Sequence, residues 1–432
     1  MGRTAAVRAA VAGAVLVTAL SACAGGGDGS GGGSTGERVN LVFRQFDPAG
    51  EIGGLQQAVD TWNKDNPNIH VELQTLSPAN VQQFAREANS GSGPDVNVVG
   101  YTDVSFLAKS SILTPLDELL KTDPMTGSKD DLLATDMVTF DGKMWAMPWT
   151  ADTFALTYRP EALQQAGITS PPTTWEQLAL DAAKISSSSG GKTAGFCFPG
   201  AGAATSGQWF AINYYLWSHN SGLASKDPSG QIKPLATASD VSGAMDYFKG
   251  LFSSGATPKS FLSVSDYTDP SITGGLANGT CAMSYLPPQT LRAVVKQVKG
   301  QVLTAPMPDG LKDGATHLGG RALAINAHTE SPKAAWKFVK FLTGATTFAT
   351  YNQYPASKSA LSALKVPETE QGYVKQLPHS QSFARYINPK MPISAMTQLI
   401  NQQFSAVYSG QTASSGAAQA VVDGIAKGIR GS

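Results

Sequence analysis

The sequence predicts an α/β fold of two lobes, each with a mostly parallel β-sheet flanked by helices. The chain has 432 residues, which is more than one compact domain usually holds. From residue 37 onward, short apolar runs typical of buried strands alternate with segments whose apolar residues recur at helical spacing. Such alternation is typical of parallel sheets covered by helices on both faces.

The charge balance and the motif content exclude several classes of function. Lys and Arg together number 32, as do Asp and Glu, and a near-neutral surface argues against a nucleic-acid partner. The five histidines form no HExxH pair, and no EF-hand loop occurs. The sequence therefore predicts a protein that is not an enzyme and needs no metal or cofactor. A surface hydrolase or an adhesion module is the alternative.

The first 36 residues have the composition of a targeting segment rather than of a folded domain. Two arginines precede an apolar run at residues 9–20, which is shorter than the about 20 residues that a membrane span needs. Leu-Ser-Ala-Cys at residues 20–23 resembles a bacterial lipobox, in which the cysteine carries lipid after cleavage. We expect a signal peptide at residues 1–22, a lipid on Cys23 and a glycine-rich tether at residues 23–36. The alternative is a plain signal peptide.

The first lobe is expected to start with three strands whose carboxyl ends meet at one edge. Strands are predicted at residues 39–43 and 69–73 and after the turn GSGPD, with helices between them. Loops at that edge are where α/β folds bind ligands. The candidate ligand contacts are Arg44, Gln45, Phe46 and Asp47 after the first strand, and Tyr101, Thr102 and Asp103 after the third. The alternatives are a solvated pair for Arg44 with Asp47 and a packing role for Tyr101.

Residues 141–160, DGKMWAMPWTADTFALTYRP, are predicted to carry the chain from the first lobe into the second. Pro148 cannot donate to a sheet ladder and favours extended backbone before it, so an extended crossover is expected there. Trp149 and Asp152 would then lie between the lobes. A ring that packs on the C–H face of a sugar, beside a carboxylate that accepts from its hydroxyls, suits a polyhydroxylated ligand.

Aromatic residues beyond Asp152 supply further candidates for the site. Trp209 stands at the start of the helical run QWFAINYYLW, and Tyr285 follows the short strand pattern around residue 282. Weaker candidates for the cleft are Phe383, Arg385 and Tyr386.

The segment HLGGRALAIN at residues 317–326 has a glycine pair before a predicted strand. Glycine allows the backbone to approach a ligand closely, which makes Gly320 a candidate contact. Arg321 beside it is expected either to donate to ligand hydroxyls or to form an ion pair with an acid such as Asp152.

Cys197 and Cys281 each lie inside a predicted strand of the second lobe. An exported protein folds in an oxidising compartment, so we expect them to form a disulfide if the two strands are neighbours. The alternative is a pair of buried, reduced thiols.

The crossover segment resembles that of the solute-binding proteins of ABC-type carbohydrate importers, the maltose-binding-protein type. The residues that match the recurring pattern are Asp141, Gly142, Lys143, Pro148, Asp152, Leu156 and Tyr158. The resemblance also covers Gly93-Pro94-Asp95, and Ala282 with Met283. Pro287 and Pro288 stand where many members of that family have Gly and Trp.

The resemblance implies a domain arrangement with three crossovers, near residues 149–152, 317–321 and 350–357. The first lobe would comprise residues 37–149 with about 321–355. The second would comprise residues 150–320 with about 356–430.

The resemblance also implies a function and a location. We expect a monomer, anchored by lipid to the outer face of the bacterial cell membrane, that captures a neutral oligosaccharide between closing lobes. It would deliver the sugar to the membrane permease of an ABC importer. The alternative is another solute, such as a phosphorylated polyol or a peptide.

Overall fold

Two β-sheets with helices packed against them form the body of the protein. The structure, a computed structural model, describes residues 38–46, 52–76, 81–201, 207–227, 231–387 and 390–431. Asp47 and Cys23, and with Cys23 the whole segment predicted for export and anchoring, lie outside the described residues. Within the described part of the chain, no helix is both long enough and apolar enough to span a membrane.

The strands fall into two larger sheets and two hairpin-like pairs. They are β1 Val39–Gln45, β2 Ile69–Thr75, β3 Val96–Gly100, β4 Thr139–Phe140, β5 Lys143–Met144, β6 Met147–Asp152, β7 Ala155–Tyr158, β8 Ala194–Phe196, β9 Ala224–Lys226, β10 Ile232–Pro234, β11 Cys281–Leu286, β12 Leu303–Ala305, β13 Gly319–Ile325 and β14 Tyr354–Pro355.

The helices connect these strands and cover them. They are α1 Leu55–Asp65, α2 Val81–Asn89, α3 Val104–Lys109, α4 Asp117–Thr122, α5 Thr135–Val138, α6 Pro160–Gln165, α7 Trp175–Ser188, α8 Gly207–Ser218, α9 Ala238–Ser253, α10 Pro270–Asn278, α11 Pro288–Val295, α12 Pro332–Thr343, α13 Ala345–Phe348, α14 Lys358–Ala363, α15 Gln371–Gln376, α16 Ile393–Tyr408 and α17 Ser414–Arg430. Short 3-10 helices lie at Tyr101–Asp103, Lys129–Asp131, Lys259–Ser263, Glu368–Glu370, Leu377–His379 and Phe383–Tyr386.

The first sheet has six strands in the order β14-β6-β13-β3-β1-β2. β1 is parallel to β2 and β3, while β13 is antiparallel to both of its neighbours. β6 leaves the sheet at the edge where β13 enters it, and the two strands therefore run in opposite directions. This edge, which also holds the carboxyl ends of β1 and β3, is called the cleft edge below.

The second sheet has four strands in the order β12-β7-β11-β8. β8 is parallel to β11, whereas β7 is antiparallel to β11 and β12. Both sheets are thus mixed, and the prediction of mostly parallel sheets was wrong. The chain passes from the first sheet to the second at Thr153 and Phe154, because β6 stays in the first sheet through Asp152.

Local sequence explains several element boundaries. The buried stripe of α1 is formed by Leu55, Ala58, Val59 and Trp62, and the helix ends at Asp65, two residues before a proline. Thr174 caps α7 by accepting a hydrogen bond from the backbone N–H of Gln177 at 3.1 Å.

A tight turn precedes the crossover strand. Asp141 and Gly142 both have positive φ, 53° and 75°, and join β4 to β5. Asp-Gly is the sequence favoured in two-residue hairpin turns because both positions require φ above zero. The polar turn predicted at the start of residues 141–160 is this hairpin.

A disulfide joins Cys197 to Cys281, with 6.1 Å between their Cα atoms. Cys281 is the first residue of β11, and Cys197 directly follows β8, so the parallel pairing of these strands brings the thiols together. The bridge ties together two strands of the second sheet.

Candidate functional site

Asp152 occupies the point where the chain crosses between the two sheets. It is the last residue of β6 and is only partly buried. Its ladder partner is Gly319, the first residue of β13, and a Cβ atom on that glycine would lie 2.0 Å from Asp152 Oδ1. The carboxylate therefore lies across the backbone of the returning strand, at the cleft edge.

Arg321 brings a positive charge to the same edge. Its guanidinium carbon lies 4.8 Å from the centre of the Phe46 ring, a distance at which a cation attracts an aromatic face. The backbone N–H of Arg321 donates to Thr150 Oγ1 at 3.0 Å, where the ladder between β6 and β13 shifts register. Since Phe46 follows β1, Arg321 connects three strands of the first sheet.

Two further groups at this edge respond electrostatically to their neighbours. Burial raises the pKa of Asp103, and the Gly100 backbone N–H and the charge of Arg321 offset part of that increase. Burial, followed by the charge of Asp152, raises the pKa of Tyr101, whose hydroxyl donates to the Thr150 carbonyl at 2.8 Å. The charges of Asp152 and Arg321 thus contribute to the pKa values of these groups.

An aromatic wall lies beyond Asp152 on the side of the second sheet. Its members are Phe154, Phe210, Tyr214, Tyr267, His317 and Phe383. The rings of Phe210 and His317 are stacked, with centroids 4.5 Å apart and planes 5° apart. The Phe154 ring contacts four of the other members edge-on or at a tilt, and its centre lies 4.8 Å from that of Tyr267.

The charge of Asp152 reaches this wall. Burial, then Asp266 and then Asp152, raise the pKa of Tyr267 to about 12. Burial also raises the pKa of Tyr214, and Asp152 adds to the effect. Because Asp152 pairs with Gly319, two residues after His317, and precedes Phe154 by two residues, the carboxylate lies near the wall.

The chemistry of the arrangement is that of binding. Carboxylate and guanidinium groups can accept from and donate to hydroxyls, while the half-buried rings of Phe210, Tyr267 and Phe383 offer apolar faces. Among the described residues, no group of three or more His, Cys, Asp or Glu side chains is arranged to hold a metal ion.

Arg44 and Gln45, which were predicted to follow the first strand, are the last two residues of β1 and interact with their own lobe. Arg44 forms an ion pair with Glu87 of α2 and donates to Gln74 at 3.3 Å. Gln45 is buried and donates to Thr75 Oγ1 at 2.8 Å. Both line a small cavity of about 20 Å³, together with Asp103.

Both tryptophans that were predicted as contacts are packed inside the protein. The Trp149 side chain is 1% exposed, and its indole N–H donates to the Leu342 carbonyl at 3.3 Å. Trp209 is 3% exposed and packs on Phe383 and Tyr386. In this conformation neither indole offers a surface to a ligand.

Tyr285 is also buried, and it lies behind the aromatic wall. It is 1% exposed, its hydroxyl donates to the Gly207 carbonyl at 3.1 Å, and its ring contacts Phe154 and Tyr214. Tyr285 therefore supports the wall from within rather than presenting a face of its own.

Gly320 lies where β13 and β6 approach each other closely. It has φ of +123°, and a Cβ atom there would lie 2.0 Å from the Thr150 carbonyl oxygen. Glycine is required there for the close approach of β13 to β6.

Sequence reasoning missed Phe210, Tyr267 and His317. Phe210 lies on α8, which is apolar on all sides, so periodicity gives no sign of the face that meets the cleft. His317 comes two residues before the glycine pair, and that position was the available signal. No pattern in the sequence marks Tyr267, which lies in a loop between Lys259–Ser263 and α10.

Known proteins that are similar to this chain are binding proteins. The family described as bacterial extracellular solute-binding protein matches residues 49–347. A probable ABC transporter-binding protein of Deinococcus radiodurans is 32% identical over 219 residues, which span 48% of this chain and 49% of the relative. The match thus spans about half the length of that relative.

Two further similarities cover more of the chain. The sn-glycerol-3-phosphate-binding periplasmic protein UgpB of Yersinia pseudotuberculosis is 22% identical over 405 residues, covering 84% of this chain and 86% of UgpB. The solved structure of the sugar-binding protein MalE of Xanthomonas citri has a TM-score of 0.72 and 21% identity, covering 91% of this chain and 98% of MalE. That structural likeness gives a fold of two lobes with mixed helices and sheets.

Proposed function

Because the chain belongs to the family of bacterial extracellular solute-binding proteins, we propose that it binds a neutral oligosaccharide between its two lobes. The protein is a binding protein rather than an enzyme. It would hand the sugar to the membrane permease of an ABC importer. The similarity to an ABC transporter-binding protein and to a sugar-binding protein supports this assignment.

The observation that carries the proposal is the position of Asp152 beside the aromatic wall. A sugar has an apolar C–H face and a rim of hydroxyls, so it is bound by a ring face together with acceptors and donors at the ring edge. Phe210 and Tyr267 would supply faces, and Asp152 an acceptor. Arg321 would supply donors from the first lobe.

We further propose that ligand binding closes the two lobes around the crossover at Thr153 and Phe154. The first lobe would hold residues 37–149 with about 321–355, extended through Asp152, and the second the remainder to about residue 430. Closure would place Arg321 and the wall on opposite sides of the sugar. The permease would recognise the closed, sugar-loaded form. The open, sugar-free protein would then not compete with the loaded protein for the permease.

The anchoring proposal rests on the sequence alone. Cys23 in its lipobox-like tetrad would carry lipid, and residues 23–36 would form the tether to the outer face of the membrane. Mass spectrometry of the protein from its bacterial host would show the lipid mass on Cys23. A mature chain cleaved elsewhere, with an unmodified Cys23, would contradict the anchor and leave sugar binding untouched.

A phosphorylated polyol is the second candidate, and the 22% identity to the sn-glycerol-3-phosphate-binding UgpB over 405 residues favours it. A phosphate requires positive charge that is not already neutralised. Arg44 is paired with Glu87, and Arg321 lies on the Phe46 ring in the neighbourhood of Asp103. This charge pattern favours the neutral sugar.

A thermal-shift screen distinguishes the two candidates. The panel contains neutral oligosaccharides, among them maltotriose, and phosphorylated polyols, among them glycerol 3-phosphate. A ligand present at 100 times its Kd stabilises the protein by about 2.7 kcal/mol, which is measurable as a higher Tm. A shift with the oligosaccharides alone supports the proposal, and a shift with the phosphorylated polyols alone replaces it.

A further inference from the structure

His317 differs from the other members of the aromatic wall in carrying ring nitrogens, and its ring is held in one orientation. It stacks on Phe210 at 4.5 Å and lies 5.6 Å from Phe383, with the planes of the latter pair 22° apart. The carbonyl oxygen of His317 accepts from Thr153 Oγ1 at 2.7 Å. The ring plane and the backbone are thus both fixed at the crossover.

Tyr214 fixes the tautomer of this ring. Its hydroxyl lies 2.6 Å from His317 Nδ1, and Tyr214 is fully buried. Because a buried hydroxyl needs an acceptor and Nδ1 is within hydrogen-bond distance, we take the phenol as the donor and Nδ1 as the acceptor. Burial raises the pKa of the Tyr214 phenol, so the hydroxyl keeps this proton. The ring proton is then on Nε2.

The imidazole is also neutral. Burial lowers the pKa of His317 to about 3, so the ring carries no charge in any buffer near neutrality. When the ring is neutral and its Nδ1 accepts from Tyr214, the remaining polar group of the ring is the Nε2–H donor. The neighbouring rings enclose the imidazole, but His317 as a residue keeps part of its surface exposed.

We propose that His317 donates a hydrogen bond from Nε2 to an acceptor oxygen of the bound sugar and so determines which sugars fit. Tyr214 acts as a positioning residue by holding the Nε2–H tautomer. This inference rests on the proposed sugar-binding function. Ring faces discriminate weakly between sugars of similar shape, whereas a directed donor penalises a ligand with no acceptor at that position.

Nitrogen NMR of the full chain, labelled with ¹⁵N-histidine, tests the tautomer without any ligand. At about pH 7 the expected spectrum shows His317 neutral with its proton on Nε2, and the same state at about pH 5. The Tyr214→Phe variant should lose the single tautomer while keeping its melting temperature within a few degrees. An Nδ1–H tautomer in the wild type, or a charged ring at about pH 5, would overturn the proposal.

Calorimetric titration with maltotriose, or with whichever sugar of the thermal-shift panel binds, tests the donor itself. His317→Phe keeps the stacking and removes both nitrogens, and its Kd should rise about tenfold. His379→Gln is the matched control, because His379 is an exposed histidine paired with Asp313. Its Kd should stay that of the wild type.

The outcomes separate the two proposals. Wild-type binding with an unchanged Kd in His317→Phe overturns the donor and leaves sugar binding in place. A wild type that binds no sugar of the panel overturns the sugar-binding function and the donor with it. If His317→Phe does not fold, His317→Gln is titrated instead, and the shift of the Nε2 resonance of the wild type on sugar addition decides.

Discussion

Gly319 and Asp152 are direct partners in the ladder between β13 and β6, and a Cβ atom on the glycine would lie 2.0 Å from Asp152 Oδ1. The carboxylate occupies the space of the missing side chain. The position of the carboxylate at the crossover therefore depends on Gly319, which lies 167 residues later in the chain. Replacing Gly319 should change sugar binding, whereas replacing Gly320 should change stability.

Gly319→Ala should weaken sugar binding about tenfold while the protein stays folded. The added methyl group meets the end of a flexible side chain, so the Asp152 carboxylate moves rather than the backbone. Calorimetric titration gives the Kd. Gly243→Ala is the matched control, because nothing lies within 4 Å of the added methyl group there. Equal affinities for the two variants would show that the carboxylate position is unimportant.

Gly320→Ala should instead lower the free energy of unfolding by about 2 kcal/mol or more. The φ of +123° is unfavourable for alanine, and its Cβ would lie 2.0 Å from the Thr150 carbonyl oxygen, which is backbone and cannot swing away. Urea denaturation followed by circular dichroism measures the loss. A variant as stable as Gly319→Ala would contradict the assigned geometry.

Asp152→Ala should raise the Kd for the sugar at least about tenfold, because a hydrogen bond to a charged acceptor contributes about 1.5 to 3 kcal/mol. Asp60→Ala, in the exposed part of α1, is the control and should bind as the wild type does. Calorimetry gives both constants, and melting curves establish that both variants are folded. Unchanged affinity would remove Asp152 from the site.

The Cys197–Cys281 disulfide should stabilise the protein by about 2 to 4 kcal/mol, since it closes a loop with a sequence separation of 84 residues. The double variant Cys197→Ser with Cys281→Ser removes the bridge without leaving an unpaired thiol. Guanidinium denaturation of wild type and variant gives the difference. The addition of a reductant should destabilise the wild type alone, and an equal response of both would argue against the bridge.

Glu370 should give the protein a stability that is lost in acid. Burial would raise the pKa of Glu370, but hydrogen bonds from Arg292 and Tyr354 outweigh it and hold the pKa below its ordinary value of 4.5. Arg292 Nε lies 2.7 Å from Glu370 Oε1, and its Nη2 lies 2.7 Å from Oε2. The carboxylate links Tyr354 of β14 to α11.

Because the folded-state pKa is depressed, this contribution is complete above about pH 4.5 and disappears as the pH falls through the lower, folded-state pKa. Glu370→Gln should therefore be less stable than the wild type by about 2 kcal/mol near pH 7. The difference should shrink below about pH 4.5. Denaturant titrations at several pH values measure it. A difference that grows in acid would reverse the assigned sign.

Most helices and strands could be predicted from the sequence because the patterns that indicate them involve residues close together in the chain. The apolar stripe of α1 and the Asp141-Gly142 turn depend on residues close together in the chain, and short-range patterns report on those. Strand direction depends on where the chain re-enters a sheet. Nothing near β13 in the sequence shows that it runs against β3, so the prediction of parallel sheets failed there.

The site was harder to predict for the same reason. Asp152 stands four residues after Pro148 and at the end of a strand. Trp149, three residues earlier, has the same local context but points into the packing around Phe43 and Tyr351. Composition favours an aromatic contact at either place, and only the alternation of sides along β6 in three dimensions decides between them.

The late position of β13 in the chain has a kinetic consequence. This strand lies between β6 and β3 in the first sheet, yet it follows all four strands of the second sheet in the sequence. The first sheet cannot acquire its interior strand until Gly319–Ile325 has been synthesised, and long-range pairings of this kind form slowly. The first sheet should therefore be completed only after most of the chain has been synthesised.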